Sequence, residues 1–383
     1  MKGIIIGAGI GGLNCAIALE KLGIEIEVFE AVTEVKAVGA GIWMASNAMQ
    51  VFGHLGFADA VIREGVELQS IGVTDRHLKP IQLMPMEPIK ERFKYGITAI
   101  HRARLHQLLI QQLKSREQLH LGKRLLRIED DGELVTAHFA DGSTAVGDFL
   151  IGADGIHSVV REQLFPNESQ YKYSGQTCWR GVVDYELSDS MTDATYEAWG
   201  GKVRLGVSSI GHGQTYWFAV KKTAENGKDN PNTLKELLLQ DFSKFASPLP
   251  EILEATAIEN IVRNDIGNMS PLKKWAKGRV CLIGDAAHSM TPNMGQGGGQ
   301  AVEDAYVLAK LFKKSDFKDP QPLFILFQAA RIKKVSFIIR MSKMLGKVAH
   351  WTWAQGFRNS MMRLFSKNSN NRLLYKIFDL DAD

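Results

Sequence analysis

Cysteine is scarce: Cys15, Cys178 and Cys281 stand far apart in a chain of 383 residues. No disulfide framework and no metal-ligand spacing can be built from them. That excludes a cross-linked secreted domain and a zinc module, and it suits a reducing cytoplasm. Long apolar runs are also missing. No stretch of about 18 uncharged apolar residues occurs, so no spanning helix is expected. Met1-Lys2-Gly3 enters a strand-like run directly, without the charged, apolar and cleavage-site order of a signal peptide, so a cytoplasmic location is expected. There is no internal repeat or low-complexity tract. No nucleic-acid fold signature accompanies the basic residues, so no nucleic-acid partner is expected.

What is present is an ordinary soluble composition, 45% hydrophobic and 23% charged, in a chain long enough for one large or two closely joined domains. The net charge of +4 is unevenly spread. From Arg331 to Asp383 there are 11 Lys and Arg against three Asp, a balance of +8 that leaves −4 for the rest. This basic tail reads first as a solvated face of terminal helices. With Trp351, Trp353, Phe357, Phe365, Tyr375 and Phe378 interleaved, a weak peripheral membrane contact is a second reading.

Three glycine-centred segments each follow an apolar strand-like run. They are Gly7-Ala8-Gly9-Ile10-Gly11-Gly12 after Ile4-Ile5-Ile6, Asp154-Gly155 after Phe149 to Ala153, and Gly284-Asp285 after Val280 to Ile283. The first is G-x-G-x-x-G between a strand and a helix over Leu13–Leu22. Gly7 permits the tight turn, Gly9 the approach of a pyrophosphate, and Gly12 close helix–strand packing. The helix N-terminus adds free N–H groups and positive potential. Glu30 ends the next strand (24–30), placed to accept from an adenosine ribose. A carboxylate there argues for NAD or FAD and against NADP in this pocket. Asp285, at a strand end, suits the polyol chain of a flavin. Pro292 to Gly299 is a glycine loop opening a helix over Gly297–Phe312. Its N–H groups, at Gly295, Gly297 and Gly298, can meet the pyrimidine edge of a flavin ring and stabilise its reduced, anionic form. The combination points to FAD.

Elsewhere the pattern predicts helices over 46–55, 102–114 and 234–245, and a strand meander with turns at Asp130-Asp131-Gly132 and Asp141-Gly142. It predicts strands over 176–185, 195–199, 203–208 and 215–220. From Pro322 onward it predicts helix, broken at Gly346 and Gly356. The expected fold class is α/β: a Rossmann-like FAD-binding domain (GR2-type) with an inserted sheet-rich substrate domain and a C-terminal helical segment. The FAD-binding domain is expected over 1–70 with 99–172 and 271–345, the substrate domain over 71–98 with 173–270, and the helical segment over 346–383.

With these motifs in order, the chain resembles the class A flavoprotein monooxygenases, the family of para-hydroxybenzoate, salicylate and urate hydroxylases, over roughly residues 1–345. The glycine fingerprint, the DG segment Asp154-Gly155-Ile156-His157-Ser158-Val159-Val160-Arg161 and the GD segment Gly284-Asp285 carry the likeness. His101-Arg102-Ala103-Arg104-Leu105 resembles the family segment whose arginine, here Arg102, meets the flavin ribityl and phosphate region. Lys36 stands where many members carry Arg, and Ala45-Ser46-Asn47 replaces a common Pro-Asn pair. The resemblance implies reduction of bound FAD by a visiting NADH or NADPH, with the DG segment serving both nucleotides. It implies O₂ addition to give a C4a-hydroperoxide, and oxygen transfer to a small aromatic substrate. Substrate contacts are expected from the inserted sheet and from Met290 to Met294. Candidate catalytic residues are Tyr216, Arg204, His212 and Pro292, with Arg180, expected on a strand neighbouring that of Arg204, as a second cation and Phe218 on the face of Tyr216. Arg204, Tyr216 and the run 30–42 resemble urate hydroxylases in particular. Oxygenation or epoxidation of a larger lipophile, and flavin electron transfer without oxygen insertion, stay open as alternatives.

Overall fold

The computed structural model describes residues 1–34, 40–315, 319–351, 355–364 and 367–380. A six-stranded sheet forms its centre, in the spatial order 276–277, 280–282, 149–152, 2–6, 25–29, 119–120. All neighbours pair in parallel except the outermost, 276–277 against 280–282. Parallel strands are covered on both faces, which is why Lys2–Ile6 and Phe149–Gly152 read as unbroken apolar runs and are buried almost throughout. The strands preceding the three glycine segments are therefore immediate neighbours. The register pairs Ile6 with Gly152 and Gly152 with Leu282, so the three turns leave the same edge of the sheet side by side. Helices Ile10–Glu20 and Gly297–Lys313 pack against each other there.

A second sheet has seven strands, in the order 262–269, 171–184, 214–222, 203–209, 194–199, 70–75, 80–85. Its back, with Trp217, Leu205, Val207 and Ala219, packs on helices Pro231–Phe242 and Leu249–Ala255 to form a separate core. Directly paired residues share a face, so the register places Arg180 with Phe218, Arg204 with Val220, and Glu197 with Gly206 on the front. That front faces the parallel sheet's glycine turns across a small antiparallel sheet of 41–44, 97–101 and 66–68. The expected strands are all present, and the meander turns fall at Gly132 and Gly142, both with positive φ.

Two expectations need correction. Arg180 and Arg204 do not lie on neighbouring strands, because 214–222 runs between them. The glycines of the C-terminal part are not breaks either. Helix Gln321–Ala349 runs through Gly346, and Gly356 lies inside helix Gln355–Leu364. Gly346 serves a close approach: a Cβ there would stand 2.5 Å from the Asn293 amide. The three cysteines are buried and unbridged, as small hydrophobes in the packing.

Candidate functional site

The first turn is built by steric necessity. Gly7 has φ +103°, and a Cβ on it would meet the Ala153 carbonyl at 2.4 Å. A Cβ on Gly12 would lie 2.0 Å from the Gly7 carbonyl oxygen. Gly9 differs: its Cβ would meet nothing within 4 Å, so its smallness serves something other than the protein's own packing. Helix Ile10–Glu20 begins beside it with no side-chain cap and no acidic residue in its first turn, which leaves its N–H groups and positive potential open to an anion. Glu30 accepts from Ala8 N at 2.8 Å and from Val32 N at 3.1 Å, holding the turn while keeping lone pairs for further donors. His106, absent from the sequence reading, braces the same turn through Ala8 O at 2.6 Å.

In the second turn Asp154 Oδ2 accepts from Val159 N and Val160 N at 2.7 and 3.1 Å. Its Oδ1 is buried without a protein partner, and burial raises the carboxyl pKa against those hydrogen bonds. Arg161 ties this turn to the third by donating to Ile156 O and Ala286 O. Asp285 follows Gly284, whose φ is +57°. It is solvent-exposed, yet surrounding protein raises its carboxyl pKa, with His288, Arg102 and Arg161 opposing the rise. An accessible carboxylate crowded by protein lines a cleft. Arg102, the first residue of helix Arg102–Gln112, is exposed at the same cleft. Gly295, with φ +61°, borders Trp43, and Gly298 borders Ile42. Together with Gly297 they lead into a helix without a side-chain cap. Lys36 lies outside the described residues.

Beneath this loop is an ionic network that the sequence reading missed. Asp304 accepts from Gly284 N at 2.9 Å, His288 Nε2 at 2.6 Å and Arg331 Nε at 2.8 Å. Glu303 pairs with Arg331 and Lys334 and accepts from Asn47 Nδ2. Burial would raise the Asp304 carboxyl, but the facing His288 and Arg331 outweigh it and hold it below its ordinary value. The available signal was an acidic pair, Glu303-Asp304, inside an otherwise apolar helical stripe.

On the facing sheet Tyr216 is buried against Gly41, where a Cβ would overlap its ring at 2.4 Å. Burial pushes its phenol upward despite Arg180 and Arg102 nearby, so at neutral pH it is a protonated donor and not a phenolate. Trp43 and Phe218 meet edge to face at 5.9 Å beside it. Arg204 is buried, with Nη1 on Glu197 at 2.7 Å and Nη2 on Asn293 at 3.0 Å and Gln176 at 3.3 Å. Asn293 belongs to the short turn Pro292–Met294, so Arg204 is brought to Pro292's loop. His212 is not brought to the others. It is exposed in the hairpin turn 210–214, with φ +58°, facing Glu64 at 3.1 Å. Among the described residues no His, Cys, Asp and Glu cluster could hold a metal.

The family model described as an FAD binding domain matches residues 1–315. The chain is 40% identical to an aurachin C monooxygenase/isomerase of Stigmatella aurantiaca, covering 95% of this chain and 94% of the relative. It is 33% identical to a 2-heptyl-3-hydroxy-4(1H)-quinolone synthase of Pseudomonas aeruginosa, covering 99% and 98%. The crystal structure of Klebsiella pneumoniae HpxO with FAD and uric acid superposes with a TM-score of 0.89 at 30% identity, covering 99% of this chain and 96% of that one. The residues present fit FAD: an open Gly9 cradle at an uncapped helix, an unpartnered Asp154 oxygen, and an exposed Asp285 in a cleft. A Rossmann-like parallel sheet, three adjoining glycine turns and these likenesses converge, and the chain belongs to the class A flavoprotein monooxygenases, FAD-dependent enzymes.

Proposed function

We propose that this monooxygenase consumes NADH or NADPH and O₂ to hydroxylate a small aromatic or heteroaromatic ring held between the glycine turns and the front of the seven-stranded sheet. The carrying observation is that Tyr216, Arg180 and Arg204 share one sheet face whose neighbours are Trp43, Phe218 and the Pro292 loop. In this reading FAD occupies the FAD-binding domain, assigned to 1–70, 99–172 and 271–345, and the substrate meets the domain of 71–98 and 173–270. Gly7, Gly9 and Gly12 with their helix N-terminus receive the diphosphate, and Glu30 the adenosine ribose. Arg102, Asp154 and Asp285 meet the central polyol and phosphates. The N–H groups at Gly295, Gly297 and Gly298 face the ring's pyrimidine edge. Lys36 joins these contacts by its place in the family motif.

Bound FAD would supply the redox and oxygen-transfer chemistry, with the nicotinamide and O₂ as co-substrates. The chain's own residues position the ring and exclude water. Trp43 and Phe218 form an apolar wall, and a dry site keeps reducing equivalents from being lost to hydrogen peroxide. Tyr216, protonated, donates to a ring oxygen. Arg180 and Arg204 place positive charge where a phenolate or enolate develops, and Pro292 shapes the wall opposite. His212, paired with Glu64 at the rim, has at most a role at the entrance.

The test is NAD(P)H consumption by the purified flavoprotein across a panel of phenols, aromatic acids, purines and quinolones, with product masses. Ring-stimulated consumption with a product one oxygen heavier is expected. Flavin reduction without any oxygenated product would instead favour electron transfer. A larger lipophilic substrate is a second reading, favoured by exposed Met344, which lies between Lys343 and Lys347 along one helix, and by exposed Phe357 on the next. Co-sedimentation with anionic liposomes, abolished by Phe357→Ser, would support that peripheral contact.

A further inference from the structure

Beneath the glycine loop, charged side chains of both signs are shut away from water in one contact group. Glu303 is 1% exposed, Asp304 0% and Arg331 2%, and the Lys334 side chain is 8% exposed. Lys334 Nζ lies 2.7 Å from Glu303 Oε1 and donates to the Asp379 carbonyl at 2.5 Å. Arg331 bridges the two carboxylates, with Nε on Asp304 at 2.8 Å and Nη1 on Glu303. Two carboxylates thus face two cations. Such burial is a poor source of stability, because desolvation offsets most of the attraction and apolar side chains of like volume do as well. Holding the Gly284 turn needs only Asp304 and its donors. Glu303 and Lys334 form no part of that clamp, so their placement calls for another account.

What Glu303 touches is the opening of helix Gly297–Lys313. Its Oε2 accepts from Asn47 Nδ2 at 2.8 Å and from Gln300 Nε2 at 3.3 Å. Asn47 packs on Gly299, where a Cβ would stand 3.0 Å from its Oδ1. Glu303 and Asp304 come six and seven residues after Gly297, about 10 Å along the helix. In buried surroundings, charge at that range is weakly screened by salt.

We infer that Lys334 and Glu303 tune the reduction potential of the bound flavin through the charge they hold beneath its pyrimidine edge. This rests on the ring placement proposed above. Accepting a hydride gives the ring one negative charge. The Lys334 cation favours that form, the Glu303 carboxylate disfavours it, and paired they largely cancel. Losing the Lys334 charge therefore lowers the potential, and losing the Glu303 charge raises it. At about 10 Å and an effective dielectric of about 20, one unit of charge changes the reduced-to-oxidised ratio about tenfold. For a two-electron couple that is about 30 mV.

The test is the midpoint potential of FAD-loaded enzyme, measured during slow reduction by xanthine and xanthine oxidase against a reference dye. Lys334→Met is expected to lower it and Glu303→Gln to raise it, each by about tenfold in that ratio. The double variant should return close to wild type, and Lys334→Arg, which keeps the charge, should match wild type. A merely structural role would move both single variants in the same direction and add in the double. That result, or unchanged potentials in both single variants, overturns the inference. If Glu303→Gln does not hold FAD, Lys334→Met against Lys334→Arg decides. Gly297→Ala tests the ring placement separately. Its Cβ would come no nearer than 4.0 Å to Met290, so a changed flavin absorbance spectrum reports the ring beside this loop. Unchanged potentials beside a changed spectrum overturn the tuning alone. Unchanged potentials beside an unchanged spectrum overturn the placement with it.

Discussion

Gly9 and Gly12 sit three residues apart in one turn, yet alanine at each should act differently. At Gly12 the new Cβ overlaps the Gly7 carbonyl oxygen, so backbone must move, at a cost of about 2 kcal/mol or more. At Gly9 the Cβ enters open space. Gly12→Ala is therefore expected to lower both Tm and flavin content. Gly9→Ala should keep the apo-protein Tm within a few degrees while FAD affinity falls about tenfold, read by thermal denaturation and flavin titration. His350 allows a pH test. Burial, then the charge of Arg204, lowers its pKa to about 4, against about 6.5 in the unfolded chain. Between those values the unfolded state binds more protons, so this residue makes stability rise with pH across that window and contributes no slope below or above it. His350→Gln should flatten the dependence between pH 4 and 6.5, as measured by equilibrium denaturation. An unchanged slope would place the acid sensitivity elsewhere. The glycine turns were legible residue by residue, because a positive φ or a close approach admits only glycine locally. His350 was not legible, since its environment is assembled from Arg204, Lys222 and Arg358.

At the scale of elements, helix Gln321–Ala349 makes a clear case. A glycine inside a helix is about 1 kcal/mol worse than alanine, so Gly346→Ala would ordinarily stabilise. Here the Cβ would push on the Asn293 amide, which is held by Thr291, Ser342 and Arg204. Gly346→Ala is expected to lower Tm and to raise KM for the ring substrate at least severalfold while FAD content stays at the wild-type level. A raised Tm would show that this contact yields. The helix itself was readable from sequence, but Gly346 read as its end. Periodicity reports that a residue is helical or not; what crosses the helix at that point comes from a loop more than fifty residues earlier. The same limit hid the pairing of Glu303 and Asp304 with Arg331, whose partners lie on separate helices.

For the whole molecule, the resemblance to hydroxylases ran only to about residue 345, and the remainder read as a basic, solvated tail. Its last helix, Lys367–Phe378, is instead anchored. Lys334 Nζ and Gln50 Nε2 donate to the carbonyls of Asp379 and Phe378. Arg92 lies 4.7 Å from the Tyr375 ring centroid, and Ile377 and Phe378 are buried in the main core. Truncation after residue 366 is therefore expected to lower Tm by several degrees and to cause aggregation on size-exclusion chromatography, because it uncovers core surface. A truncated chain with wild-type Tm would return the segment to a passive role.

Sequence by itself determined the cofactor end of this protein. Tight turns, close backbone approach and helix openings are local demands, met by glycine and carboxylate at short fixed spacings. Tertiary structure decided the substrate end. Alternation told that Tyr216 and Phe218 share a face, but strand order put 214–222 between Arg180 and Arg204. Chain crossing brought Asn293, Gly346 and His350 to the same face from beyond the third glycine segment. Long-range register depends on the summed packing of the whole fold, and no short spacing in the chain encodes it.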